Sequence, residues 1–200
     1  MYHFYEPTKD IGLPYSPVNA IIAPRPIGWI SSLGADGTAN LAPYSYFNVF
    51  NRRPPIIGFA SIGYKDSVAN IEAAGEFCWN LVDESLAEAM NATSARVAPG
   101  VDEFELAGLA KRSGRIVSAP LVDAARAAFE CRVSQVIRLN TASGDELDTW
   151  LVLGEVVGVH IDEDLLVDGL FDTDAARPIA RAGGPATYYT LGEAFEMVGP

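Results

Sequence analysis

Two stretches constrain this chain more than any others. From Ala127 to Leu139 the residues alternate, with Phe129, Cys131, Val133, Gln135 and Ile137 on one face and Glu130, Arg132, Ser134, Val136 and Arg138 on the other. From Asp148 to Ile161 a second stretch is apolar almost throughout, the pattern of a strand covered on both faces. Both outrun the roughly 3–10 residues of an ordinary strand. Strands this long support a closed or partly closed barrel.

Shorter signals fill in the rest. Asn19 to Leu33 is rich in β-branched residues and ends at the hairpin signal Gly34-Ala35-Asp36-Gly37, so Ala39 to Ser45 reads as the return strand. Pro54 to Ile62 reads as a buried strand, and Phe77 to Val82 as another. Between them, Asp66 can cap a helix that runs through Ala74 and stops at Gly75. Glu84 to Ala92 places Leu86 and Met90 on one side of a short helix. Val101 to Arg115 is irregular, and the tail from Arg177 carries a turn at Gly183-Gly184-Pro185 and the aromatic pair Tyr188-Tyr189. About seven strands and a few short helices predict a mainly β barrel, one domain over residues 1–200 with its core at about 17–190.

Charge and composition remove several function classes. The net charge is −12, which disfavours nucleic acid and anionic membrane as partners. The acids of the 162–174 stretch read as a solvated loop, since their spacing does not fit a calcium loop. Cys78 and Cys131 form no C-x-x-C and read as small buried hydrophobes. His3 and His160 are the only histidines, with no evident acid or thiol partner; both read as structural or solvent-exposed, and no metal centre is expected. Phosphate-loop and dinucleotide fingerprints are missing. The first residues carry no signal-peptide pattern and no run is long enough for a membrane helix, so a cytoplasmic protein is expected. The chemistry that remains belongs to a cofactor, with no catalytic side chain expected.

Three segments invite a ligand. Pro24-Arg25-Pro26-Ile27-Gly28-Trp29-Ile30-Ser31-Ser32 opens a strand with two prolines and a charge. Asn40 to Asn48 breaks from strand into a turn dense in aromatics and amides. Tyr64-Lys65-Asp66-Ser67 puts one of only three lysines at a helix start, where free amides and a hydroxyl suit an anion.

These pieces, with Asn70-Ile71, Glu76-Phe77, Asn80-Leu81-Val82 and Arg181-Ala182-Gly183-Gly184, resemble the flavin reductase-like, FMN-binding split-barrel family over about residues 17–190. The resemblance implies a homodimeric six-stranded split barrel holding FMN near the dimer interface. It implies that Trp29, Ile30, Ser31 and Ser32, together with Leu41, Ala42, Pro43, Tyr44, Ser45, Tyr46 and Asn48, line the isoalloxazine and ribityl chain. Lys65, Asp66 and Ser67 would lie near the phosphate, with Arg25 and Arg181 as further anion contacts. The implied activity passes electrons from NAD(P)H through the flavin to a second acceptor, a small molecule or a protein. Two alternatives are a flavoredoxin-like carrier fed by a protein partner, and a barrel that has lost its flavin. Arg25, Arg52, Arg53 and Arg181 are the charges able to offset the acidic surface for a nucleotide.

Overall fold

The computed structural model describes residues 1–199. Seven strands, one more than the six the resemblance implied, form one antiparallel sheet: β1 (Gly28–Leu33), β2 (Ala39–Tyr44), β3 (Phe47–Arg52), β4 (Pro55–Ile62), β5 (Glu76–Asn80), β6 (Ala127–Asn140) and β7 (Glu146–Ile161). Their order is β2-β1-β5-β6-β7-β4-β3. The two edge strands, β2 and β3, are consecutive in sequence and joined only by Ser45 and Tyr46. So short a link forces the sheet to curl until its edges nearly meet. No ladder among the described residues pairs β2 with β3, so the barrel stays split along that seam. Tyr44 packs near the seam against Phe59 of β4, with ring centroids 4.4 Å apart.

The barrel interior holds Ile30, Ile57, Phe59, Phe77, Cys131 and Val152. Helix α1 (Asp66–Ala74) adds Val68 and Ile71, both fully buried, each worth roughly 1.5–3 kcal/mol of apolar burial. The helix stops where expected: Gly75 takes φ 72° and returns its N–H to the Ile71 carbonyl at 2.8 Å. A second core lies outside the sheet. There Trp29 and Leu41 pack with Leu86, Met90 of α2 (Ala87–Ala92) and Phe104 of α3 (Glu103–Leu106). Trp29 faces this outer core and Ile30 the inner one, as strand alternation requires.

Four expectations need correction. The strand expected from Asn19 begins only at Gly28: Val18–Ile21 is a helical turn, and Arg25–Pro26 pairs separately with Ala180–Arg181. Pro24 and Pro26 have no N–H to give a ladder. The helix cap is Lys65, not Asp66, whose carboxylate instead accepts the Gly100 N–H at 3.1 Å. The facing of β6 reverses partway. Leu153 pairs with Gln135 and Gly154 with Val133, leaving Ser134 unmatched as a bulge. Beyond it Val136 packs on the interior, and Ile137 turns to solvent. Lastly, β7 is covered on both faces only in part. Val152 and Val156 pack inward and Val157 against the outer cluster, but Val159 is 56% exposed.

Candidate functional site

A groove crosses the open seam where β2 ends. One lobe, of about 650 Å³, is lined by Asn40, Tyr44, Lys65, Ser67, Arg96 and Glu103 among others. The other, of about 760 Å³, is lined by Ile27, Ser45, Met90, Ile179, Arg181 and Tyr188 among others. Pro43, Tyr44 and Ser94 line both, so the lobes adjoin at the Pro43-Tyr44 ridge.

The local chain explains the ridge. Pro43 sits near the end of an edge strand, where a missing N–H costs no ladder bond. Tyr44 is buried, and its hydroxyl is the one buried side-chain polar atom among the described residues without a hydrogen-bond partner. Burial pushes the Tyr44 phenol above its usual range, so it stays protonated and able to donate. That hydroxyl is shielded from solvent inside the barrel, so the groove meets other atoms of Tyr44.

The first lobe combines opposite charges. Lys65 and Arg96 are exposed cations on its lining, beside the start of α1. Its floor is an ordered polar chain. Glu103 Oε2 accepts from Asn40 Nδ2 and from the Leu41 N–H, each at 2.9 Å, and Asn40 Oδ1 accepts from the Ser67 hydroxyl at 2.6 Å. Burial pushes the Glu103 carboxyl above its ordinary value, opposed by these hydrogen bonds. The second lobe is more apolar. At its mouth the Arg181 guanidinium lies 4.8 Å from the Tyr188 ring centroid and donates to the Pro185 carbonyl at 2.6 Å.

The expected site residues fall into three groups. Ala42, Pro43, Tyr44, Ser45, Lys65, Asp66 and Ser67 come together on the groove. Trp29, Ile30, Ser31, Ser32 and Leu41 are buried beneath it; Trp29 Nε1 donates to Thr93 Oγ1 at 3.0 Å and Ser31 Oγ to the Pro120 carbonyl at 2.5 Å. Tyr46 and Asn48 lie along the seam, with Tyr46 hydrogen-bonded to Asn19. Arg25 braces the ridge by donating to the Ser45 carbonyl at 3.2 Å. Sequence reasoning missed Arg96 and Glu103. Arg96 lies in an unpatterned link, and Glu103 follows the Asp102 helix cap like any first-turn acid.

A second cavity of about 680 Å³ opens around His160, Glu130, Arg112 and Arg126. The expectation that His160 lacks an acidic partner is overturned, since its Nε2 stands 2.6 Å from Glu130 Oε1. The acidic stretch beside it is partly structural. Asp162 pairs with Arg126 at 2.8 Å, and Asp172 caps the turn Thr173–Ala176.

Fold and groove together define a flavin reductase-like split barrel. The family model described as "Flavin reductase like domain" matches residues 22–180, and the chain belongs to this family. Nitrilotriacetate monooxygenase component B from Bacillus cereus superposes with a TM-score of 0.90 at 32% identity, covering 98% of this chain and 99% of that one. The 2-nitrobenzoate 2-nitroreductase of Pseudomonas fluorescens gives 0.80 at 28% identity, over 92% and 88% of the two chains. An uncharacterized protein of Halalkalibacterium halodurans is 36% identical over 90% of this chain and 87% of its own length. No helix among the described residues is long and apolar enough to cross a membrane.

Proposed function

We propose that this chain, as a single domain, binds FMN in the seam groove and works as an oxidoreductase that takes electrons from NAD(P)H and delivers them to a second acceptor, a small molecule or a protein. The observation that carries the reading is the polarity of the groove. Cations and helix amides stand at one end, a more apolar lobe at the other, and the Pro43-Tyr44 ridge between them. That gradient fits a ligand with an anionic terminus, a polar chain and a flat apolar ring.

FMN, when bound, supplies the acceptor for a nicotinamide hydride and the donor for the next oxidant. The protein binds and orients. Lys65, Arg96 and the first amides of α1 hold the phosphate, with Asp66 and Ser67 beside them. Ala42, Pro43, Tyr44 and Ser45 form the wall against the ring. Trp29, Ile30, Ser31, Ser32 and Leu41 support that wall from beneath, Tyr46 and Asn48 flank the seam, and Arg25 fixes the Ser45 carbonyl. Ile27, Met90 and Ile179 leave an apolar approach for the nicotinamide.

A second copy of the chain completes the site. Val49 and Phe50 on edge strand β3 are 60% and 55% exposed beside the seam, and a homodimer covers them. The activity is placed in the cytoplasm, where NAD(P)H and reduced thiols such as Cys78 and Cys131 coexist.

The test is anaerobic mixing of FMN-loaded protein with NADH and with NADPH while the flavin colour is followed. Bleaching within seconds at millimolar nucleotide supports the reductase. Bleaching by dithionite but by neither nucleotide replaces it with a carrier fed by a protein partner. Protein that takes up no flavin removes the reading altogether.

A further inference from the structure

The floor of the charged lobe holds a buried carboxylate that phosphate binding does not use. Glu103 is 6% exposed and lines the lobe. Both of its chain partners are donors, the Leu41 N–H and Asn40 Nδ2, and both reach the same oxygen, Oε2. The other oxygen, Oε1, accepts nothing from the described residues, and it is not among their solvent-shielded unpartnered atoms. It therefore keeps some solvent contact, and Glu103 lines the groove. The next group along is an acceptor too. Glu103 draws the NH₂ of Asn40 toward itself, which turns Asn40 Oδ1 toward Ser67. The Ser67 proton is committed to that oxygen, so Ser67 has only lone pairs left.

A floor of acceptors repels phosphate and suits hydroxyl donors. We propose that Glu103 reads a polyol: with Oε2 fixed by Asn40 and Leu41, its free Oε1 accepts a hydrogen bond from the hydroxyl-bearing chain of the ligand. This inference rests on the flavin reading above, in which that chain is the ribityl group. The anionic terminus then belongs to Lys65 and Arg96 on the rim, and Ser67 faces the polyol rather than the phosphate. Asp66, the other carboxylate on this lobe, is held by the Gly100 N–H.

The experiment is flavin fluorescence titration of the wild type and of Glu103→Gln with FMN, riboflavin, lumiflavin and an N10-pentyl flavin. In Glu103→Gln the amide oxygen must face the two chain donors, so an NH₂ replaces the free oxygen and the charge assistance is lost. A charged hydrogen bond is roughly twice as strong as a neutral one, so riboflavin should weaken about fivefold or more while lumiflavin, which lacks the polyol, stays within about twofold. Wild type should also prefer riboflavin over the pentyl flavin by about tenfold, a measurement that stands if the variant does not fold. Equal losses for riboflavin and lumiflavin, no loss at all, or a wild type blind to the hydroxyls would overturn the proposal and leave FMN binding intact. A wild type that quenches none of the four flavins would remove the flavin reading and this inference together.

Discussion

His160 donates its Nε2–H to Glu130 Oε1 across 2.6 Å. The direction follows from Arg112, whose guanidinium stands 3.1 Å from Nδ1 and can only donate, so Nδ1 is the acceptor. Glu130 is fully buried and also takes the backbone N–H groups of Arg115, Ile116 and Val117 at 2.9, 2.6 and 2.7 Å. One carboxylate thus fastens the loop before β6 to the sheet, and His160 on β7 holds that carboxylate in place.

This clamp predicts acid sensitivity. Burial alone would raise the Glu130 carboxyl, but the hydrogen bonds from Arg115, His160, Val117 and Ile116 outweigh it and hold the group down to about 2. A lowered carboxyl stabilises the fold above its unfolded value of about 4.3, and that contribution is lost as pH falls toward 2. Urea midpoints should therefore drop for wild type between about pH 4.5 and 2.5. Glu130→Gln should lose on the order of 3 kcal/mol at pH 7 and show less of that drop. An identical acid profile in the variant would assign the effect to another group.

Lys65→Ala should weaken FMN about ten- to a hundredfold, since a charged hydrogen bond contributes ~1.5–3 kcal/mol. Riboflavin should change little. Arg96→Ala should behave alike, and added salt should erase part of both effects because the two cations are exposed. Equal losses for FMN and riboflavin would move Lys65 away from the phosphate.

Gly154 on β7 has no room for a side chain, because a Cβ there would stand 2.4 Å from Cε1 of the fully buried Phe77. Gly154→Ala should destabilise the barrel by about 1–3 kcal/mol through overpacking. Phe77→Leu in the same chain should recover part of that loss, so the pair should be non-additive in thermal melts. Strict additivity would place the two residues out of contact.

From the exposure of Val49 and Phe50, light scattering should report a dimer, and Phe50→Asp should shift it toward monomer and weaken FMN. A monomeric wild type that binds FMN tightly would show that one copy suffices for the site.

Much of the frame is legible along the chain because its signals are local. Helix α1 stops at Gly75, β4 is a short apolar run between turns, and Pro43-Tyr44-Ser45 and Lys65-Asp66-Ser67 are contiguous stretches whose residue types already suit a ligand. The resemblance to the flavin reductase-like family rests on the same stretches and agrees with the family match over residues 22–180.

Other features exist only through pairing at a distance. Alternation in β6 suggested one uninterrupted inward face, but register against β7 excludes Ser134 and turns Val136 inward in place of Ile137. Glu130 sits on the polar side of that alternation and would be solvated in an isolated strand. It is buried because His160, thirty positions later, and three amides of a preceding loop converge on it. Glu103 reaches Asn40 and Leu41 from sixty-three and sixty-two positions away. Periodicity and turn chemistry, which act over a few residues, determined by sequence alone where strands and α1 form and which stretches carry ligand-binding residue types. Which carboxylates are buried, and which of their oxygens find donors, was decided only when the curled sheet brought those donors within hydrogen-bond reach.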